Sequence, residues 1–301
     1  MRVSSGMLQD IAVTKLQSVW GRIQKLQTNI STGRRIQRVS DDPIGADHVM
    51  RIRSDLRANE FYSRNLSEAR QWIEATEAVG ARLVETTETL QLIAVQVADD
   101  AYGPEALAGL GAELDGWLEE AIGLANTKYA GMRLFGGQET REEPFQAIYD
   151  DEGMIIGVEH DRGVGDLPVR RLVDENLLLT INITGADLFG ENLEFFADVI
   201  KLRDAAYAGD HEIARDMMED LDEGVDRVNL AQSLVGGLLN RVEGMESWLE
   251  HQNLEMEAAR SQHEDLDMAE AAMEYQKEQA ILEATLSTVS HLMDLSLVHY
   301  M

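Results

Sequence analysis

The chain has 301 residues, of which 44% are hydrophobic, and its 26 basic and 55 acidic side chains give a formal net charge of −29. Such an acidic chain is expected to bind neither nucleic acid nor an anionic membrane, because both repel negative charge. It has no cysteine, which excludes disulfides and thiolate chemistry, and it lacks the run of about 18 apolar residues that a transmembrane helix needs.

The first 40 residues combine an apolar stripe with positive charge. Apolar side chains recur at steps of three and four residues, which is the spacing of one side of a helix. The members of this stripe are Leu16, Val19, Ile23, Leu26 and Ile30. Seven basic residues stand in the same segment against the single acid Asp10, a balance of +6. The pattern predicts a basic helix with one apolar face.

Two further helices are predicted next. From residue 44 to 98 the chain is rich in Ala, Leu, Arg, Glu and Gln, with apolar positions at helical spacing. Asp42 followed by Pro43 is typical of an N-cap and a first helical position. The same helical period returns from about Pro104 to Met132.

Residues 133 to 190 change in character to glycine, β-branched residues and turns. The segments 145–149 and 154–158 are separated by an Asp-Asp-Glu-Gly sequence and predict a hairpin. Every second residue from Leu177 to Ile183 is leucine or isoleucine, which is the period of a strand. We interpret this region as a small β insertion.

Helical periodicity resumes near Leu193 and continues to the end of the chain. A boundary at residues 208–210 divides it into a shorter helix and a very long one. Residues 261 to 301 hold eight acids and one base, a balance of −7. Their apolar stripe consists of Leu282, Leu286, Val289, Met293, Leu297 and Tyr300.

Both ends of the chain carry an apolar stripe, and their net charges are opposite in sign. Antiparallel pairing would place Arg34, Arg35 and Arg38 beside the acidic segment 264–274. Exposed ion pairs contribute only about 0 to 1 kcal/mol each, so this pattern acts mainly against wrong registers. We expect the two ends to form a coiled coil. The apolar positions of the last helix cover more than the strip of about 100° that one partner buries, so we expect neighbouring molecules to cover the rest.

The predicted fold is mostly α: an elongated rod of long antiparallel helices with a terminal coiled coil of the N- and C-terminal segments and a small β-rich insertion. Three domains are predicted: a terminal coiled coil of residues 1–42 with 262–301, a helical body of 43–140 with 190–261, and the insertion 141–189. The candidate assembly interface is formed by the two stripes, Leu16, Val19, Ile23, Leu26, Ile30, Leu282, Leu286, Val289, Met293, Leu297 and Tyr300.

No catalytic constellation stands out in the sequence. His211 and Glu212 begin like the helix motif of zinc peptidases, but Arg215 occupies the position of the second histidine and cannot bind the metal. We therefore expect no enzymatic activity, no metal and no cofactor. A metallopeptidase on this scaffold is a rival hypothesis that a stoichiometric bound metal would support.

Several segments resemble the bacterial flagellin superfamily. Residues 30–36, ISTGRRI, and 40–46, SDDPIGA, are similar to the family element at the joint between terminal coil and body. Residues 126–137, NTKYAGMRLFGG, are similar to the stretch that precedes the β part. The start, residues 1–5, and the finish, residues 294–301, are closer to the hook-filament junction branch of the superfamily than to filament flagellins.

The resemblance implies a structural component of the bacterial flagellum that is secreted by the flagellar export apparatus and assembles at the distal end. A junction component would contact neighbouring copies of itself, the preceding hook-associated protein and flagellin, and an export chaperone is implied as a further partner. A filament flagellin is the alternative within the family. Outside the family, the remaining alternative is a cytoplasmic coiled-coil adaptor.

Overall fold

The computed structural model describes residues 5–138, 143–160 and 167–298. Eight helices account for most of these residues. They are α1 (Ser5–Thr32), α2 (Pro43–Val97), α3 (Pro104–Ala125), α4 (Gly185–Phe189), α5 (Glu194–Ala208), α6 (His211–Asp216), α7 (Met218–Glu264) and α8 (Met268–Val298). No helix within the described ranges has the length and hydropathy needed to cross a membrane. The predicted mostly helical fold with a small β insertion is confirmed.

The chain forms two compact units. The terminal unit contains residues 1–58 and 251–301, and the central unit contains residues 59–250. Helices α1 and α8 belong wholly to the terminal unit, whereas α2 and α7 contribute to both. The three domain boundaries expected from the sequence stay a prediction.

One large apolar core holds the central unit, with contributions from α2, α3, α5 and α7. Trp117 of α3 packs edge-on against Phe195 of α5 at 5.6 Å between ring centroids. Its Nε1 donates a 2.8 Å hydrogen bond to the carbonyl oxygen of Thr86 in α2. Gly224 of α7 lies against the same phenylalanine, and a Cβ at this position would be 2.2 Å from the Phe195 ring. Glycine is therefore required where α7 approaches α5.

The described β structure consists of three separate antiparallel hairpins. β1 (Lys128–Tyr129) pairs with β2 (Met132–Arg133), β3 (Phe145–Tyr149) with β4 (Ile155–His160), and β5 (Arg170–Asp174) with β6 (Leu177–Thr180). The hairpin predicted over residues 145–158 is confirmed in β3 and β4. Asp150 closes its turn, because Oδ1 accepts hydrogen bonds from the backbone nitrogens of Glu152 at 2.9 Å and Met154 at 2.8 Å. The strand predicted to Ile183 already ends at Thr180.

Arg203 of α5 attaches this hairpin to the helices. Its side chain is only 1% exposed. Nη1 donates to the carbonyl oxygen of Ile155 at 2.6 Å and lies 3.1 Å from Asp115 of α3. Nη2 donates to Asp204 at 2.6 Å. The buried guanidinium is thus hydrogen-bonded, and two carboxylates compensate its charge. These contacts hold the start of β4 against α3 and α5.

Two predicted helix boundaries are confirmed, the start of α2 at Asp42 and Pro43 and the division at residues 208–210. Oδ1 of Asp42 accepts a 3.0 Å hydrogen bond from the backbone nitrogen of Gly45 at the start of α2. Gly209 ends α5 in the left-handed conformation with φ of 70°. Asp210 then caps α6 by accepting two backbone hydrogen bonds in its first turn. Such polar caps and glycines are local signals, which is why the sequence reveals them.

The predicted end of the third helix near Met132 is wrong, because α3 ends at Ala125. Asn126 takes the C-cap position. Ala130 and Gly131 then adopt φ angles of 50° and 83° in the turn between β1 and β2. Residues in the left-handed region cannot continue an α-helix, so the apolar spacing beyond Ala125 belongs to a hairpin.

The prediction of one very long last helix is also wrong, because the helix is interrupted after Asp216 and again at residues 265–267. Asp267 caps the new helix α8. Its Oδ1 accepts hydrogen bonds from the backbone nitrogens of Ala269 at 2.9 Å and Glu270 at 3.1 Å. Apolar spacing continues across this break, which only the polar cap marks.

Candidate functional site

Helices α1 and α8 lie side by side and run antiparallel in the terminal unit. Arg22 of α1 binds Glu278 of α8 through two hydrogen bonds, from Nε at 2.8 Å and from Nη2 at 2.9 Å. The hydrogen bond from Arg22 is the main cause of a lowered pKa at Glu278. Just beyond α1, Arg34 Nε lies 2.8 Å from the carboxylate of Glu264 at the end of α7. These contacts confirm the antiparallel pairing predicted from stripe and charge.

The seam between α1 and α8 contains most of the predicted stripe residues that the structure describes. Val19 and Ile23 are 4% and 5% exposed and form its centre. The half-buried members are Leu16, Leu26, Ile30, Leu282 and Val289. Leu286 is 49% exposed, so the prediction that it is buried in this seam is wrong. The seam passes from Leu282 to Thr285 and Val289, which leaves Leu286 on the flank of α8.

Sequence reasoning missed several seam residues of α8. They are Ala271, Tyr275, Glu278 and Thr285, which are buried or half-buried. Together with Leu282 and Val289 they follow steps of four, three, four, three and four residues, so the coiled-coil spacing was present in the sequence. A search for large apolar side chains overlooks it, because alanine, threonine and a paired carboxylate occupy three of these six positions.

Three residues of the candidate interface fall outside this description. The backbone of α8 includes Met293 and Leu297, but their side chains lie outside the described part of the chain. Tyr300 lies outside the described residues altogether. The assembly role of the whole set stays a prediction.

Both terminal helices also carry large apolar side chains outside the seam. Seven of them are between 46% and 66% exposed: Met7, Ile11, Val13 and Trp20 on α1, and Met268, Met273 and Leu286 on α8. Single exposed apolar residues are ordinary, but this number on one pair of helices exceeds what the pair itself can bury. The arrangement is typical of helices that pack against further helices.

The segments that follow α1 and α7 bond to each other through the backbone. The nitrogen of Arg35 donates to the carbonyl oxygen of Glu264 at 2.7 Å, and the nitrogen of Leu266 donates to the carbonyl oxygen of Gly33 at 2.9 Å. Gly33 adopts φ of 68°, a conformation that favours glycine. This short bridge fixes the point at which the helix pair begins.

A buried carboxylate forms the centre of this joint. Glu264 is 2% exposed, and its Oε1 lies 2.8 Å from Arg34 Nε and 2.5 Å from Arg53 Nη2 of α2. Arg260 Nε lies 3.9 Å from its Oε2. The surrounding guanidinium groups compensate the charge whose burial alone would be costly. The basic segment after α1 therefore meets the acidic segment near residue 264, as the sequence predicts.

Asp41 holds the turn between α1 and α2. Its Oδ2 accepts hydrogen bonds from the backbone nitrogens of Arg38 at 2.9 Å and Gln37 at 3.3 Å. Its Oδ1 lies 2.9 Å from Lys25 Nζ, and the hydrogen bond from that lysine is the largest cause of a lowered pKa at Asp41. The carboxylate thus ties the turn back to α1.

The residues that begin like a zinc-peptidase motif have structural roles. His211 Nδ1 lies 2.7 Å from the carbonyl oxygen of Val97. Arg215 Nε donates to the carbonyl oxygen of Ala98 at 2.9 Å, and the same guanidinium pairs with Asp100. Both side chains contact backbone carbonyl groups at the end of α2, because the last carbonyl groups of a helix have no hydrogen-bond donor within the helix. Across the described ranges, no three His, Asp or Glu side chains group as metal ligands.

Curated relatives include both hook-associated proteins and flagellins. Flagellar hook-associated protein 3 of Salmonella typhimurium is 28% identical over 193 residues, which are 63% of this chain and 57% of that protein. This match thus spans little more than half of the Salmonella protein. The protein of the same name from Escherichia coli is 23% identical over 99% of this chain and 98% of its own length. Flagellin FlaB1 of Treponema pallidum is 25% identical over 85% and 83%, respectively.

The fold is also found in solved structures. The flagellar junction protein FlgL from Legionella pneumophila superposes with a TM-score of 0.57 at 13% identity, over 73% of this chain and 100% of that chain. At this identity, the similarity concerns the fold alone.

Two family models match the parts of the chain that form the terminal pair and the long helices. The bacterial flagellin N-terminal helical region matches residues 3–140, and the bacterial flagellin C-terminal helical region matches residues 218–301. The intervening residues, which include β3 to β6, lie outside both matches. The chain belongs to the bacterial flagellin family.

Proposed function

We propose that this chain is the hook-filament junction component of a bacterial flagellum. The observation that carries the proposal is the terminal helix pair, whose seam closes within one chain while its outer faces keep large apolar side chains exposed. A structural component that assembles among its own copies needs such a surface. The end-to-end similarity to the Escherichia coli hook-associated protein 3 favours a junction component over other members of the family.

Assembly gains free energy by covering the exposed apolar residues. Burial of a large apolar side chain stabilises by roughly 1.5 to 3 kcal/mol, so each such side chain of α1 and α8 that a neighbour covers offsets part of the entropy that association costs. Contacts between different faces of identical subunits repeat around a ring or along a helix. The junction would therefore form as a layer of copies.

The partners of this layer are proposed from the family. One side of it would sit on the preceding hook-associated protein, and the other side would present a surface on which flagellin polymerises. The chain would reach this place through the flagellar export apparatus, accompanied inside the cell by an export chaperone. We propose a structural role without catalysis, which the structural use of His211 and Arg215 supports.

A filament flagellin is the second candidate, favoured by the similarity to the Treponema pallidum flagellin over most of both chains. The two candidates differ in what the purified protein does. A flagellin polymerises alone into long filaments, whereas a junction component joins existing ends only. Long filaments of the purified chain would favour this second candidate.

Electron microscopy of flagella from a strain that lacks this chain tests the proposal. We expect hooks without filaments, together with flagellin shed into the medium, because flagellin would have no surface on which to begin. Filaments of normal number and length would contradict a junction role. Hooks that still carry junction proteins but no filament would identify the chain as flagellin instead.

A further inference from the structure

A groove in the terminal unit is both basic and apolar. It has a volume of about 580 Å³ and lies between the loop after α1 and the first turns of α2. Three arginines line it, Arg34, Arg38 and Arg53, and none of the described lining residues is acidic. Val39 and Met50 form part of its wall and are 56% and 50% exposed. The groove therefore fits a partner that offers carboxylates next to apolar side chains.

The charge of this groove is only partly neutralised within the chain. Arg34 and Arg53 share one oxygen of Glu264, which is buried beside them. Arg38 is exposed, and its backbone nitrogen, rather than its guanidinium, binds Asp41. Three guanidinium groups thus stand against one carboxylate. In a chain of net charge −29, this positive surface attracts acidic segments of other molecules.

One face of helix α7 carries acidic and apolar side chains, which are complementary to the basic and apolar lining of the groove. Steps of four, three, four and four residues place three acids and two leucines on one face, which we call the α7 stripe: Glu219, Glu223, Asp226, Leu230 and Leu234. All five residues are exposed, and the leucines are 62% and 51% exposed. The buried residues Leu221, Val228 and Val235 lie on the opposite face of the same helix. The α7 stripe therefore points away from the core of the central unit.

We propose that the α7 stripe of a neighbouring copy docks in this groove. Its three carboxylates would face Arg34, Arg38 and Arg53, and its leucines would cover the exposed Val39 and Met50. Groove and stripe are different surfaces, so the contact is heterologous and repeats from copy to copy into a ring or a helical layer. The inference rests on the proposed function, since it names the contact between the copies that form the junction.

Disulfide cross-linking tests this contact directly, because the chain has no cysteine of its own. Val39→Cys and Leu230→Cys variants are produced together in a strain that lacks the native chain, and isolated flagella are oxidised. Mass spectrometry is expected to find a disulfide that joins position 39 of one copy to position 230 of another. Leu92→Cys is the matched control for Leu230→Cys, because Leu92 is similarly exposed at 66% but lies outside the α7 stripe.

Charge reversal gives a second test that needs no cross-link. Arg38→Glu is expected to reduce the number of filaments per cell, and Glu223→Arg is expected to do the same, because each places like charges in contact. The two changes together are expected to restore filaments. An unchanged filament number in Arg38→Glu, or no recovery in the double variant, would overturn the contact.

The outcomes separate this inference from the proposed function. Normal flagella without the 39–230 disulfide would overturn the docking of the α7 stripe and leave the junction role standing. A disulfide from position 39 to the Leu92→Cys control, or loss of filaments in Arg38→Glu that only a change in flagellin restores, would assign the groove to another occupant. Filaments that grow without this chain would overturn the function itself.

Discussion

The central and terminal units bury apolar residues in different ways. The central unit has an aromatic core in which Phe189 and Phe196 lie 4.5 Å apart and both are at most 1% exposed. In the described part of the terminal unit the buried apolar residues are smaller, such as Val19, Ile23 and Ala271, while Trp20 is 52% exposed. The central unit thus encloses aromatic rings in its core, whereas the described core of the terminal unit contains no aromatic ring.

The difference in apolar burial indicates whether each unit can fold without a partner. A core enclosed within one chain supports folding without partners, because its apolar burial offsets the entropy of ordering. Two paired helices enclose far less. We therefore expect the terminal unit to depend on its polar joint at Glu264 and, in the proposed assembly, on neighbouring copies.

The largest effect is expected at the centre of the aromatic core. Phe195→Ala should destabilise the central unit by about 3 to 5 kcal/mol, because it removes a ring that packs on Trp117, Phe189 and Gly224. Urea unfolding followed by circular dichroism measures the loss. A change below about 1 kcal/mol would contradict the view that this core holds the central unit.

A cavity in the terminal seam should have a smaller and more local effect. Ile23→Ala is expected to cost about 2 kcal/mol, at the low end for such a change, because two helices can partly close over the gap. Hydrogen exchange should show faster opening of α1 and α8 with unchanged amides in the central unit. Ile11→Ala is the matched control, since Ile11 is 50% exposed. Equal loss of protection in both units would show that they unfold together.

Removal of the buried charge at the joint tests the polar part of the terminal unit. Glu264→Gln is expected to cost about 1 to 3 kcal/mol, because Arg34 and Arg53 lose a charged acceptor while both remain partly exposed. Exchange rates at the start of α8 report the effect. Glu274→Gln, at an exposed site of the same helix, should leave these rates unchanged.

The smallest effect concerns pH. The pKa of Glu278 is lowered, chiefly by the hydrogen bond from Arg22, so this pair stabilises the folded state above the unfolded pKa of about 4 and the contribution is lost as the pH falls through the folded pKa. Arg22→Gln should therefore lower the melting temperature slightly at neutral pH and have no further effect once Glu278 is protonated. A destabilisation that persists at about pH 2 would assign the role of Arg22 to something other than this pair.

Much of the helical framework could be predicted from the sequence, because its signals are local or periodic. Asp42, Gly209 and Asp150 mark a helix start, a helix end and a hairpin turn through backbone hydrogen bonds that each forms nearby. The antiparallel pairing was predictable from the opposite charges of the two ends. The break before α8 was not, since Asp267 is one acid among many in that segment.

The site was less predictable than the fold. Which face of α8 enters the seam depends on α1, and the fit places Ala271 and Thr285 inside while Leu286 stays on the flank. The cluster around Glu264 joins residues that are more than 200 positions apart in the chain, as the pair with Arg53 shows. The spacing of residues along one helix predicts neither the face of α8 that enters the seam nor the cluster around Glu264.

We propose that the exposed apolar residues of the terminal helix pair serve assembly rather than folding. Leu286→Glu tests it most directly in a strain that lacks the native chain, with Ser287→Glu as the control for added charge at an exposed neighbouring site. The purified Leu286→Glu protein is expected to melt like the native chain, while its cells carry bare hooks and the control cells carry filaments. Filaments of native number on the Leu286→Glu cells would contradict it.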